Sequence, residues 1–529
     1  TQLVTSWTPL KVRRALRNTF GPFFVTHGQL NPTQLVALTP LLDGHDLLLC
    51  SPTASGKTAA AIAPLLERHA VPGDTVLRVL YVVPTRALVN DLYRRLEGPL
   101  RDLRLPLVAR TGDKQPLRSN QTAAVLLTTP ESLDSLLCRQ PERFSELGAI
   151  VLDEVHLVDG TYRGDQVRVL LSRLPATSQR VALSATAAEP NAFVERYLSS
   201  SAEIIDIGER RELEFHAVSD PEEAVALLRK HRRHKVLWFC ETRQDVELVA
   251  ERLQSVWPAN RLVAHHGSLA KRQRESAEAA MRDWPWGLCV ATMTMEIGID
   301  IGDVDAIVLQ QPPRNIASFQ QRIGRGCRRE HTMFAVGICD APDELETYRT
   351  YVEMTRAGQL EPEAYQPDLS VVAQQILSML FAMPSGVELR TIQAHLSQLS
   401  EADTIHAIIE HLEAFEDGPF LFRRGMRLHA TTRTMDLGEK GLLHSNIPST
   451  GGKKFVDAAS GKAIGRAMSD VKVGDMVVLA GQARRVTRVT SSAVQLEHAQ
   501  GQAMKAPKFS RDSAAGAWRW LVPEELRRR

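Results

Sequence analysis

Short apolar runs in two series constrain this chain more than any other feature. The first series lies between about residue 30 and residue 205. It includes Asp46 to Cys50, Val76 to Val83, Ala124 to Thr128, Ala149 to Leu152 and Arg180 to Leu183. Each run is Leu-rich or β-branched, ends at polar or glycine residues, and is followed by a longer amphipathic stretch. That alternation is the pattern of parallel strands buried on both faces and crossed by helices. It implies a doubly wound α/β layer whose ligands sit beyond the carboxyl ends of the strands. The pattern restarts after Glu209, with runs at Val236 to Cys240, Leu262 to His265, Gly287 to Ala291, Ala306 to Leu309 and Met333 to Ile338. A second α/β lobe follows.

From about 342 to 445 the pattern changes to helices, such as Leu369 to Phe381 and Ala402 to Ala414, with short strands near Leu421 to Leu428. This has the size of a winged helix. From about 446, turns separate short Val-rich runs, Lys472 to Val478 and Arg485 to Val489, as in a small β-rich module. The chain's 529 residues are too many for one core. The expected domains are therefore 1–205, 206–341, 342–445 and 446–529.

Composition excludes some classes and leaves others open. The formal net charge of +2 decides nothing about nucleic acid, because positive charge can concentrate in one groove. No apolar stretch approaches the roughly 20 residues of a membrane span, and no secretory-type segment opens the sequence. The six cysteines are scattered without a C-x-x-C pair, which argues against a zinc knuckle, a cluster or a disulfide framework. A cytoplasmic protein with buried structural cysteines is expected.

The block Ser51-Pro52-Thr53-Ala54-Ser55-Gly56-Lys57-Thr58 directly follows the run Leu47 to Cys50. A strand feeding a loop of small residues that opens a helix is a phosphate cradle, with Ser55 and Gly56 in the turn. Lys57 would reach the outer phosphates and the Thr58 hydroxyl would hold Mg²⁺. Asp153-Glu154-Val155-His156 follows the run Ala149 to Leu152. Asp153 at that strand end can hold the Mg²⁺ shell, and Glu154 can orient or deprotonate an attacking water. In the second series, Gln321-Arg322-Ile323-Gly324-Arg325-Gly326-Cys327-Arg328 sets Arg325 and Arg328 three residues apart, poised against charge on a transferred phosphoryl group. Each block alone could be a chance turn or a solvated face; their order and spacing together argue otherwise.

These three blocks in this order resemble the superfamily-two helicases of the DEAD/DEAH-box type. Further blocks resemble that superfamily's motifs: Pro32-Thr33-Gln34, Pro84-Thr85-Arg86-Ala87-Leu88, Thr111-Gly112-Asp113, Thr128-Thr129-Pro130-Glu131-Ser132-Leu133, Ser184-Ala185-Thr186, His266-Gly267-Ser268-Leu269 and Glu296-Ile297-Gly298-Ile299-Asp300-Ile301-Gly302. Together with Leu369 to Leu377 and the block from Ile464 to Gly481, they are similar to the large helicase-related (Lhr) family. Val155 and Cys240-Glu241 depart from that family's usual residues, and the C-terminal region is shorter.

The resemblance implies two RecA-like lobes that close over ATP and Mg²⁺, then a winged helix and the β-rich module. It implies a catalytic set of Lys57, Asp153, Glu154, Gln321, Arg325 and Arg328. ATP contacts would come from Gln34, Ser55, Gly56, Lys57, Thr58, Gly298 and Asp300, with Mg²⁺ on Thr58 and Asp153. Strand contacts would come from Thr85, Arg86, Thr111, Gly112, Thr129, Thr242, Arg243, His266 and Thr292, and coupling from His156, Ser184 and Thr186. The implied activity is 3′ to 5′ movement on single-stranded DNA, a tailed duplex or an RNA–DNA hybrid, by a monomer serving DNA repair or genome maintenance. An RNA helicase, or an ATPase switch that recruits a partner such as a nuclease through the C-terminal region, stays open. Trp518-Arg519-Trp520 could stack on bases, form a small core or dock a partner. Trp284 and Trp286 fit packing better than base stacking, and His265 and His266 have no third metal ligand at a recognisable spacing.

Overall fold

The computed structural model describes residues 7–25, 30–51, 55–112, 120–184, 189–207, 211–292, 302–327, 332–358, 365–447, 452–468, 471–499, 506–509 and 515–527. The chain divides into two compact units, each discontinuous in sequence. One comprises Thr1–Gly208, Glu363–Pro448 and Ser513–Arg529; the other comprises Glu209–Pro362 and Ser449–Asp512.

The first unit is built on seven parallel strands: β1 (Leu47–Cys50), β2 (Val79–Val82), β3 (Leu107–Arg110), β4 (Val125–Thr128), β5 (Ala149–Asp153), β6 (Gln179–Ser184) and β7 (Glu203–Asp206). Their order is β3-β4-β2-β5-β6-β1-β7. The central strands β1, β2, β4 and β5 are buried throughout, as their unbroken apolar runs require. Helix Pro32–Asp43 shows how local sequence sets a boundary. Asn31 and Gln34 form a reciprocal capping box, Pro32 stands in the first turn, and Gly44 ends the helix at φ 90°.

Residues 365–447 of this unit contain helices Leu369–Ala382, Leu389–Leu396, Ala402–Glu413 and Thr432–Glu439. Strands β14 (Val387–Glu388), β15 (Leu421–Arg424) and β16 (Arg427–Ala430) form an antiparallel sheet in the order β14-β16-β15. Helix Leu369–Ala382 is buried on all sides from Ser370 to Phe381, and its four polar residues, Ser370, Gln374, Gln375 and Ser378, are buried with the apolar ones. It packs on helices Pro130–Arg139 and Tyr162–Ser172, sharing one core with Cys138 and Val169. Trp518 joins that core and its indole N–H donates to the Ser445 carbonyl at 2.9 Å, so this tryptophan is a packing residue.

The second unit repeats the parallel architecture with β8 (Glu212–Val218), β9 (Lys235–Phe239), β10 (Leu262–His265), β11 (Gly287–Ala291), β12 (Ala306–Leu309) and β13 (Thr332–Ile338). The order is β10-β11-β9-β12-β13-β8. Helix Pro342–Ala357 belongs here: Tyr348 is fully buried, 5.1 Å from the Phe215 ring, and its hydroxyl donates to Leu309. The unit therefore runs past the boundary that the change of pattern at 342 suggests.

The β-rich module consists of β17 (Lys453–Asp457), β18 (Ala463–Ala467), β19 (Met476–Leu479), β20 (Gln482–Val489) and β21 (Ala493–His498), ordered β18-β17-β21-β20-β19. Only the β17–β21 pair is parallel. Its core admits Leu269 of the second lobe. No helix among the described residues is long and apolar enough to cross a membrane.

A polar network joins the first lobe to residues 365–447. Asp134, fully buried on helix Pro130–Arg139, accepts from Ser378 at 2.6 Å and from Gln374 at 3.0 Å, and pairs with Arg173 at 2.9 Å. His444 stands 3.5 Å from the same carboxylate. Burial opposes the charge on both members, but mutual attraction, with Arg173 beside Asp134, outweighs it. Asp134 is held below its usual range, while His444 is pushed up to about 9. A histidine with a raised folded pKa stabilises fully below its unfolded value and loses that contribution as pH climbs through the folded one. Urea unfolding should therefore show stability falling between pH 6.5 and about 9, and His444→Gln should flatten that slope. An unchanged slope in the variant would show that the pair does not act as a charged latch.

Candidate functional site

In the first unit the register places three chemical blocks on neighbouring strand ends. Cys50 pairs with Ser184 across β1 and β6, and Asp153 pairs with Leu183 across β5 and β6. The phosphate-loop helix Lys57–His69 follows β1 and is capped by Gly56 at φ 79°, a conformation L side chains rarely adopt. A Cβ there would also lie 2.8 Å from Gln34 Nε2. The segment around Gln34 braces this turn: Asn31 Nδ2 donates to the Ser55 carbonyl at 2.9 Å, and Thr33 and Ser51 hydroxyls meet at 3.2 Å. Gln34 Oε1 accepts from Asn31 N–H, which leaves its Nε2 for other partners.

Lys57 is 6% exposed, and its Nζ has no hydrogen-bond partner among the described residues. The nearest anion is Glu154 Oε1 at 3.9 Å. A buried ammonium with unspent donors is costly unless an anion completes it, and a phosphate oxygen has the right charge and acceptor capacity. Ser55 Oγ is likewise buried without a partner among the described residues.

Asp153 accepts from Tyr81 O–H at 2.7 Å and from the Glu154 backbone N–H at 2.9 Å. Burial, then the Glu154 carboxylate, pushes its pKa up to about 6, against the pull of Lys57. Thr58 Oγ1 accepts from Arg95 at 2.9 Å. Asp153 and Thr58 are both oxygen donors, a set suited to a hard divalent cation. Glu154 has a left-handed backbone at φ 51°, a strained state for a non-glycine residue. Its carboxylate lies 3.4 Å from His156 Nε2, and His156 Nδ1 meets Ser184 Oγ at 3.0 Å. Lys57, Glu154, His156 and Ser184 thus form one chain of contacts between β1, β5 and β6. Thr186 lies outside the described residues.

The predicted strand contacts of this unit occupy helix starts and strand ends. Thr85 caps helix Arg86–Asp102 and accepts from Leu88 N–H at 3.3 Å. Thr111 is buried, and the Arg86 guanidinium approaches Gly112 so closely that a Cβ there would lie 3.0 Å from Nη2. Thr129 precedes helix Pro130–Arg139 and donates to Ser132 Oγ at 3.4 Å.

In the second unit, Thr242 caps helix Arg243–Leu253 and exchanges hydrogen bonds with Asp245. Arg243 donates to Ser268 Oγ at 2.9 Å, and Thr292 is buried at the end of β11. Gln321 lies in helix Ile316–Ile323, and Arg325 is buried in the turn that follows. Arg211 holds that turn by donating to the carbonyls of Gly324, Gly326 and Cys327, at 3.0 to 3.1 Å. Gly298, Asp300 and Arg328 lie outside the described residues. His266 is fully buried and bonded to Glu247 at 2.9 Å. His265 is also inside, paired with Glu278 at 3.0 Å.

Asn31, Tyr81, Arg95, Arg211 and Glu247 were not singled out by sequence reasoning. Asn31-Pro32-Thr33-Gln34 carried a legible capping signature, and Tyr81 is the one side chain with a polar group in the stretch Val79 to Val82. Arg95, Arg211 and Glu247 sit in ordinary charged stretches with no signal. Five of the six cysteines are buried and all are free, as expected of structural thiols.

Two domain families match the chain: DEAD/DEAH box helicase over residues 31–193 and helicase conserved C-terminal domain over residues 220–330. The ATP-dependent helicase Lhr-Core of Methanocaldococcus jannaschii is 30% identical over 344 residues, covering 57% of this chain and 40% of that protein. The solved structure of Mycobacterium smegmatis helicase Lhr bound to ssDNA and AMP-PNP superposes with a TM-score of 0.71 at 25% identity, covering 82% of this chain and 62% of that one. The helicase MrfA bound to DNA and AMPPNP shares the fold, with a TM-score of 0.74 at 19% identity and coverage of 92% and 72%. The chain spans less than half the length of the Lhr-Core relatives it matches, at 40% and 48% for two of them. The chain thus carries a region matching the DEAD/DEAH box helicase family and a region matching the helicase conserved C-terminal family, one in each parallel-sheet lobe, and is similar to the Lhr helicases.

Proposed function

We propose that the chain is an ATP-dependent 3′ to 5′ DNA helicase or translocase acting on single-stranded tails of a duplex or of an RNA–DNA hybrid. The observation that carries this reading is the buried, unsatisfied Lys57 ammonium beside Asp153 and Glu154 at adjacent strand ends. Lys57, Ser55, Gly56 and the start of helix Lys57–His69 bind the phosphates. Gln34 braces the loop and offers Nε2 toward the base. Asp153 and Thr58 are the Mg²⁺-holding residues, and the ion would neutralise charge on the departing phosphate. Glu154 orients the attacking water, with His156 and Ser184 transmitting its state to the strand side. Gln321, Arg325 and Arg328 act on phosphoryl charge, and Gly298 and Asp300 complete the nucleotide contacts.

Thr85, Arg86, Thr111, Gly112, Thr129, Thr242, Arg243 and Thr292 grip strand phosphates. Such contacts position the strand without reading sequence and make binding salt-dependent. Support comes from the similar Mycobacterium smegmatis helicase Lhr, whose solved structure is bound to ssDNA and AMP-PNP. Residues 365–447 are read as a winged helix, from their helix, strand, helix, helix, strand, strand order.

ATP hydrolysis with and without single-stranded DNA or RNA, followed by displacement from 3′-tailed and 5′-tailed duplexes, tests the whole reading. Stimulation by DNA with displacement from the 3′ tail alone is expected. Stimulation without displacement would favour a partner-recruiting switch. Lys57→Ala should reduce turnover by about 10²-fold or more, the scale of losing one preorganised charge; near-normal turnover would remove the phosphate-loop assignment. Glu154→Gln should bind ATP normally while hydrolysing it about 10²–10⁴-fold more slowly. Arg325→Ala should depress hydrolysis far more than ATP affinity, and equal losses in both would rule out a transition-state role.

A further inference from the structure

Glu247 is a fully buried carboxylate that the proposed chemistry does not use. It lies on helix Arg243–Leu253, one turn beyond Arg243, on the same face. It accepts three N–H groups: Ala480 at 2.8 Å, Gly481 at 2.7 Å and His266 Nε2 at 2.9 Å. Ala480 and Gly481 are the two-residue turn between β19 and β20, in which Leu479 pairs with Gln482. Both have positive φ, 59° and 68°, as a primed hairpin turn requires. Alanine is strained there, so the tip is held in shape by what it binds. The neighbouring Gln254 side chain donates to the Gly481 carbonyl at 2.8 Å.

A second contact line runs from the other edge of the module. Arg466 N–H donates to the Ser268 carbonyl at 2.9 Å, Ala270 N–H donates to the Ile464 carbonyl at 2.7 Å, and Leu269 bridges Gly465. A Cβ on Gly465 would lie 2.8 Å from the Ser268 carbonyl oxygen, so only glycine permits this approach. Leu269 is buried among Phe455, Ile464 and Val477 of the module. Phe509 meets the His266 ring edge-on at 5.0 Å. The segment from His266 to Ala270 is therefore held from two sides, and its Ser268 hydroxyl is the acceptor for Arg243.

We propose that the β-rich module is a clamp that fixes the second lobe's strand grip, with Glu247 as the positioning residue that latches it. The carboxylate gathers the hairpin tip and His266. These hold the 266–270 segment, and the segment sets Ser268 against the Arg243 guanidinium. This inference rests on the strand-gripping role proposed for Arg243.

The test uses the full chain. Glu247→Gln replaces one acceptor oxygen by an NH₂ group that opposes the incoming N–H donors, at nearly constant volume. Hydrogen exchange should show loss of protection at the Ala480 and Gly481 amides. The anisotropy of a labelled single-stranded DNA should report a dissociation constant raised about tenfold, the factor for one charge-assisted contact. Strand-free ATPase should stay within about twofold. Gly465→Ala, which perturbs the other contact line, should weaken DNA binding in the same direction and serves if the first variant fails to fold. Lost protection with unchanged DNA affinity overturns the clamp, and unchanged protection overturns the latch. If the variants show these shifts but the wild-type chain, while binding DNA, hydrolyses no ATP, the helicase reading alone is overturned.

Discussion

The candidate site depends on the parallel register of β5, β6 and β1. With Leu47 opposite Val181 and Ala149 opposite Gln179, the three strands end together at Asp153, Ser184 and Cys50. A slip of one residue would turn every side chain to the other face, and Asp153 would be driven into a layer of apolar packing. Close packing on both faces opposes that slip, because each residue of β1, β2, β4 and β5 is buried against neighbours of set size and shape. Core packing thus aligns the chemistry, although no core residue takes part in it.

The aligned groups are crowded. Asp153, Glu154 and Lys57 are all buried, with Lys57 3.9 Å from Glu154; Glu154 holds a left-handed backbone, and Lys57 Nζ has no hydrogen-bond partner among the described residues. Backbone strain of this kind costs about 1–3 kcal/mol. Residual unfavourable charge adds to it, since Asp153 is driven toward protonation by burial and by Glu154. A phosphate-bearing ligand with a divalent cation would relieve both: the anion completes Lys57, and the cation favours an ionised Asp153. The same arrangement sets Lys57 apart from the first residue of an ordinary helix, which would have no reason to bury a lysine without an acceptor among the described residues.

The central strands and the order of chemical blocks were legible because burial on both faces writes an unbroken apolar run into the sequence. Three of the four edge strands of the parallel sheets were not. β3, β7 and β8 carry exposed or half-buried residues, such as the Glu203 to Asp206 stretch, so no run marks them, whereas β10 is mostly buried and was legible. The helix Pro342–Ala357 was read with the following segment because its mixed polar pattern resembles its neighbours; only Tyr348 reveals that it covers the second sheet. The bonded partner of His266 was equally hidden: Glu247 comes from another element, and no local pattern reports such a pairing. Trp518 was undecidable for the same reason, since its partner carbonyl at Ser445 is distant in sequence.

Each lobe carries an added segment, and in each a fully buried carboxylate on a lobe helix receives polar groups from that segment. Asp134 receives Gln374, Ser378 and His444 from residues 365–447, while Glu247 receives Ala480 and Gly481 from the β-rich module. Apolar burial supplies most of the adhesion in both places, through the cores around Leu377 and around Phe455. It is non-directional, however, and would tolerate sliding of one apolar face over another. A buried carboxylate is intolerant: any shift that breaks its hydrogen bonds leaves an uncompensated charge, at roughly 3–5 kcal/mol. The two acids therefore give each docking a single register. In the second unit that register reaches the guanidinium of Arg243, so a device for specifying structure becomes a means of setting grip.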